Sequence, residues 1–177
     1  MHGESNRRQP TEADINSRDA TNRKDQEELL LAYLRELHDA ERRLVDVLPR
    51  FADAAQDSAL REGLRRRFRE GVERTTALAA LLRDLGQEAR GTECWVVRVL
   101  VHDAEARIID TPRGRRDLVV MASELRLREY LGALRATTRT LAAGLGRVKI
   151  ASVLRPRKRD RKPGAEGLIN WNEEKSA

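Results

Sequence analysis

A carboxylate set in an apolar helical stripe is the first residue in this chain whose position suggests chemistry. Leu30, Leu34, Leu37, Leu44 and Leu48 recur at spacings of three, four and seven, and Glu41 falls among them, between Leu37 and Leu44. A carboxylate on such a face is costly unless it is paired, hydrogen-bonded or bound to a metal. His38 stands three residues before Glu41, so the two could chelate from one helix face; the alternative is a surface or half-buried histidine. His102 is isolated. Cys94 is the single cysteine, which excludes an intrachain disulfide; it reads as a small core residue rather than a nucleophile, with no histidine near it in sequence. There is no Glu-x-x-His, Ser-His-Asp order, phosphate-cradling loop or zinc spacing.

The second chemical feature is electrostatic. Residues 155 to 162 include Arg155, Arg157, Lys158, Arg159, Arg161 and Lys162. Such a run could neutralise several phosphates and give salt-sensitive, sequence-independent nucleic-acid binding. A solvated tail is the competing reading. No aromatic residue is interleaved, which argues against base stacking on single strands.

Helices must position these groups. Ala, Leu, Arg and Glu dominate the chain and are strong helix formers. The first helix is expected over about 25–55, with Pro49 kinking it or forcing a local rearrangement. Asp57-Ser58 marks a turn and N-cap. A second helix over about 58–85 follows, with the stripe Leu60, Leu64, Phe68, Val72, Thr75, Leu78, Leu82 and Leu85, stopped by Gly86. A shorter helix over about 93–110 shows Cys94, Val97, Val101, Ala104 and Ile108 on one face. A fourth, over about 116–145, has two apolar stripes, one through Val120, Leu127, Leu131, Leu134, Leu141 and Leu145, the other through Leu118, Ala122, Leu125, Gly132 and Ala136. Apolar groups on two faces suggest burial in a bundle or at a homodimer interface. A fifth helix begins near Arg147 and meets Pro156.

The 177 residues suit one domain with an aliphatic core, since aromatics are 3% of the chain. Residues 1–25, polar and mixed in charge, are expected to form a disordered arm, 26–155 the bundle, and 156–177 a basic tail or frayed last helix. The net charge of +6 resides in residues 147–163, which carry eight basic groups and one acidic. No segment approaches 18 apolar residues, so no membrane span is expected. The N-terminus lacks the apolar region of a secretory signal, and a cytoplasmic location is the expectation.

One stretch has a family resemblance. Tyr33-Leu-Arg-Glu-Leu-His-Asp-Ala-Glu-Arg-Arg-Leu44, followed by Leu48-Pro49 and Ala54-Ala55, resembles the first helix of the YciE/YciF family of ferritin-like bacterial proteins. Cys94, Leu100, Asp103-Ala104 and Ile108 match the spacing of that family's crossover helix, and Leu141 to Gly146 is similar to the end of its next helix. The resemblance covers roughly residues 28–155. It implies an all-α, ferritin-like four-helix bundle of two hairpins with a shorter helix in the crossover, and an association with stress responses.

The family plan also implies a di-metal site, which needs carboxylates from all four bundle helices. Glu41 matches the helix 1 glutamate. By the same resemblance, other ligand positions carry Arg69, Arg128, Leu131 and Arg159, and the carboxylates left nearby are Glu70, Glu129 and Asp160. Arginine stays protonated inside proteins, so such replacements repel dications. The chain is therefore expected to be non-catalytic, with no cofactor and with Glu41 paired to a core-facing arginine such as Arg69 or Arg128. The alternative is iron or manganese at a residual site of Glu41, Glu70, Glu129 and Asp160.

Overall fold

Leucine at every third or fourth position gives the longest helix one apolar face, and that face is where the core begins. The computed structural model describes residues 11–89 and 92–156, and of residues 12–20 the backbone alone. The described residues form α1 (Glu12–Ala54), α2 (Ser58–Asp84), α3 (Trp95–Asp110), α4 (Arg116–Gly144) and α5 (Val148–Val153), with a 3-10 turn at Arg113–Arg115 leading into α4 and no strand. The all-α architecture expected from composition and periodicity is the one observed.

The stripe of α1 is wholly buried: Leu30, Leu34, Leu37, Leu44 and Leu48, joined by Val47 and Phe51. The short link after Ala54 turns α2 back along α1, and these two make the most extensive helix pair. Asp57 caps α2, its carboxylate accepting the Leu60 N–H at 2.8 Å. Gly86 stops α2 at a φ of 68°, where an L side chain would be strained, and the Gln87 N–H returns to the Leu82 carbonyl at 2.9 Å. Gly146 does the same for α4, with the Arg147 N–H on the Ala142 carbonyl at 2.8 Å. Between the hairpins, α3 packs on α1 and α4 through Cys94, Val97, Ala104 and Ile108. The short α5 lies mainly on α4 and touches α2.

The structure corrects two expectations. First, α1 starts at Glu12, so the second half of the arm expected to be disordered is helical. Extending an established helix fixes little additional chain per hydrogen bond, and exposed polar pairs support it: Gln26 on Asn22 at 3.3 Å and Lys24 near Glu28 at 3.9 Å. Residues 1–10 lie outside the described residues. The C-terminal part of α1 agrees with expectation: the helix runs through Pro49 to Ala54, with Pro49 on its exposed side. Second, the interior face of α2 passes through Gly71 rather than Val72, which is exposed. A Cβ on Gly71 would stand 2.8 Å from Val45 Cγ2, so the missing side chain sets how closely α1 and α2 approach.

On α4 the first stripe is buried at Val120, Leu127, Leu131 and Leu145, while Leu118, Gly132 and Ala136 of the second stripe are exposed. The fifth helix ends at Val153, ahead of Pro156, and the expected basic tail beyond Pro156 lies outside the described residues. No helix among the described residues is long and apolar enough to cross a membrane.

Candidate functional site

The α1 stripe carries Glu41 into the interior, where its side chain is 0% exposed. Two guanidiniums reach it there. Arg74 of α2 donates from Nε to Glu41 Oε2 at 3.2 Å, and Arg135 of α4 donates from Nη2 to the other oxygen, Oε1. Both arginine side chains are largely covered, at 18% and 16% exposure. Each occupies a position its helix turns inward: Arg74 lies between Gly71 and Leu78, and Arg135 between Leu131 and Thr138, all four buried. The omitted Cβ of Gly71 also lies beside the Arg74 side chain, 3.8 Å from Nη2. Three helices thus meet in a hydrogen-bonded ionic centre inside an aliphatic core.

The expected partners of Glu41 are corrected by this geometry. Arg69 points outward, 61% exposed, and pairs with Glu62 at 3.0 Å. Arg128 is partly covered and lies 3.8 Å from Glu129. The resemblance alone did not set the register of α2 and α4 finely enough to say which arginines turn inward. Leu131 is buried core, and Arg159 is outside the described residues.

The four candidate metal ligands are not brought together among the described residues. Glu70 is half-buried, Glu129 is 69% exposed, and Asp160 lies outside the described residues. No group of three or more His, Cys, Asp or Glu side chains arranged to hold a metal occurs among the described residues. His38 is buried beside α1's own Arg42, and burial first, then the Arg42 charge, lowers its pKa, so the ring is neutral. Its Nδ1 has no hydrogen-bond partner among the described residues. Glu41, three residues on, is held by the two arginines rather than by His38. His102 is exposed.

A second interior ion pair joins α2 to α4. Arg67 donates to Glu124, which is 8% exposed. Burial, followed by the nearby charge of Arg128, pushes the Arg67 pKa down to about 10, still charged at neutral pH. Sequence reasoning missed Arg74, Arg135 and Glu124. The signal was present: each falls three or four residues from buried stripe positions, as Glu41 does on α1.

Cys94 belongs to a third polar group, at the start of α3. Its Sγ lies 3.6 Å from both Glu36 Oε1 and the Tyr130 hydroxyl, and Tyr130 donates to Glu36 at 3.1 Å. Burial raises the thiol pKa, keeping it protonated and a poor nucleophile, and burial likewise raises that of Tyr130. Next to it, Asp39 accepts the Cys94 N–H at 2.9 Å and guanidinium donors from Arg43 at 2.6 Å and Arg42 at 3.0 Å. Burial alone would raise the Asp39 carboxyl, but the hydrogen bonds from Arg43, the Cys94 N–H and Arg42 outweigh it and hold the pKa below the usual range. A depressed folded-state pKa stabilises the fold above the unfolded carboxyl's value, and the stabilisation fades as pH falls through the folded value. The stability gap between wild type and Asp39→Asn, read from urea unfolding, should therefore be open at neutral pH and narrow below about pH 4.

Of the basic candidates, Arg155 is exposed at the end of α5; Arg157, Lys158, Arg159, Arg161 and Lys162 lie outside the described residues.

Comparison with known proteins follows the same lines. Residues 25–176 match a family model described as a domain of unknown function, DUF892. No curated protein matches the sequence. Among solved structures, YcfI of Rhodopseudomonas palustris, named as a candidate structural protein, aligns with a TM-score of 0.74 at 24% identity, over 81% of this chain and 92% of its own. The E. coli stress protein YciF aligns at 0.69 and 20% identity, over 84% of this chain and 92% of its own. At these identities the likeness establishes the fold.

Proposed function

The chain belongs to the DUF892 family, as its resemblance to YciE/YciF proteins implies, and on that premise we propose that it is a non-catalytic, stress-associated bundle protein whose metal centre has been replaced by an internal salt bridge. The observation that carries this reading is Glu41, fully buried with one arginine on each carboxylate oxygen. The residues around it do not fit a pair of dications. Hard cations need several anionic oxygens, and among the described residues one buried carboxylate is shown between two guanidiniums. A cation would have to displace both arginines and leave their charges buried beside its own.

The stress association is taken by likeness from YciF, and a structural role agrees with the description of YcfI. Purified full-length protein incubated with iron(II) or manganese(II) and then desalted is expected to retain far less than one metal per chain. Retention of about two per chain, the stoichiometry of a di-metal bundle, would overturn the reading.

A further inference from the structure

We propose that the outward face of α3 is a self-association surface, on which a second copy of this chain packs its own α3 in antiparallel fashion.

The face is a heptad seam. Trp95, Val99, His102, Ala106 and Ile109 recur at alternating spacings of four and three, and all five are exposed. Trp95 is 58% exposed, Val99 59% and Ile109 76%. Single exposed apolar side chains are ordinary, but a row of them along one helix marks an interaction surface. Val97, Ala104 and Ile108 on the other side of α3 are buried, so this helix has one apolar side in the core and a second facing outward. The chain continues past Pro156 from α5, which lies on α4 and α2, whereas α3 lies on α1 and α4.

Charge and shape select the occupant. Arg98 and Glu105 stand one heptad apart on one flank of the seam. Arg98 pairs with Glu93 at 3.1 Å and lies over the Trp95 ring, 3.8 Å from its centroid. Glu105 pairs with Arg50 of α1 at 2.6 Å. In an antiparallel pair with its two-fold axis between Val99 and His102, Arg98 comes beside the partner subunit's Glu105. The two intrachain pairs then join into a row of alternating sign, and the symmetry makes that row twice. Trp95 packs on the partner subunit's Ala106, whose small side chain leaves room for the indole, and Val99 packs on the partner subunit's His102. On the other flank the Asp103 charge is already matched by Arg107 at 2.8 Å and Arg126 at 3.1 Å. A parallel pair would instead set Glu105 beside the partner subunit's Asp110 and align the two helix dipoles, both unfavourable.

One helix pair falls short of the standard interface of about 1,600 Å², so a dimer of micromolar affinity is expected. Sedimentation of the full chain from about 1 to 100 μM should show a monomer passing to a dimer. Val99→Glu places a carboxylate in the seam of both copies and should weaken association about a hundredfold. Because Val99 is exposed, the urea midpoint of the dilute variant should match that of wild type. A short bismaleimide reports where the copies meet, since native Cys94 is fully buried and does not compete. It should couple two chains at His102→Cys but not at Ala136→Cys, on the exposed stripe of α4.

A chain that stays monomeric at the highest concentration overturns the proposal; the seam then belongs to the chain's own terminal residues or to a different protein. A dimer that Val99→Glu leaves intact, or that couples at Ala136→Cys rather than His102→Cys, places the interface on α4 and overturns it as well.

Discussion

Glu41→Gln should destabilise the fold by about 3–5 kcal/mol, the usual cost of removing one partner from a buried ion pair. The size of the effect comes from what is left behind. Wild-type Glu41 is fully buried and engages Arg74 and Arg135, whose side chains are themselves more than four-fifths covered. A glutamine keeps the shape and one accepting oxygen but none of the charge, so two largely buried guanidiniums lose the carboxylate they share. The measurement is the free energy of unfolding in urea at neutral pH, with the slope checked to confirm that the unfolded reference has not changed.

A companion variant separates the worth of the salt bridge from the penalty of breaking it. Glu41→Leu combined with Arg74→Met and Arg135→Met removes all three charges together, and buried ion triads exchanged for apolar groups of similar volume are often neutral or stabilising. The triple variant should lie well above Glu41→Gln in stability. If Glu41→Gln unfolds at the wild-type urea concentration, the centre is not held by charge, and the account of why a carboxylate persists in the core stripe is wrong.

The visibility of this centre in the sequence was uneven, for physical reasons. Glu41 was legible because it is flanked by leucines on both sides of one helical face, and a helix of strict period leaves such a residue nowhere else to point. The caps were legible for a similar local reason: Asp57 and Gly86 act within three or four residues of themselves. The arginines were harder. Arg65, Arg66, Arg67, Arg69 and Arg74 all lie within ten residues of α2, and a long flexible side chain can snorkel out from a position that faces inward.

The actual choice depended on rotation of the helix by a fraction of a turn. Reading Val72 instead of Gly71 as the interior position made that rotation wrong, because glycine carries no hydrophobic signal although here its lack of a side chain is what fits. The start of α1 was obscured for the opposite reason. A solvent-exposed helical extension has no apolar face, so periodicity cannot report it, and only propagation from the packed part accounts for it.

A second large effect is expected at a residue that no motif marked. Asp117, at the start of α4, is 9% exposed and accepts two backbone N–H groups from the link between α1 and α2: Gln56 at 2.7 Å and Asp57 at 3.0 Å. Those donors stand at the N-terminal approach to α2, where no preceding turn supplies carbonyl partners. The side chain of Gln56 adds a hydrogen bond to the Arg113 carbonyl, so the beginning of the second hairpin is tied to the tip of the first.

Asp117→Ala strips both backbone groups of their charged acceptor at once. Hydrogen bonds to a charged group contribute about 1.5–3 kcal/mol each, and some of that is recovered where water enters the link, so a loss of about 2–4 kcal/mol is expected in urea unfolding. Asp57→Ala, which removes the cap on the Leu60 N–H, should cost about 1 kcal/mol. The contrast is the test. A cap acts within its own helix, whereas Asp117 holds two hairpins in register, so Asp117→Ala should also speed hydrogen exchange at the Gln56 and Asp57 amides. Equal, small losses for the two variants would mean that the link folds on its own and that α4 merely rests against it.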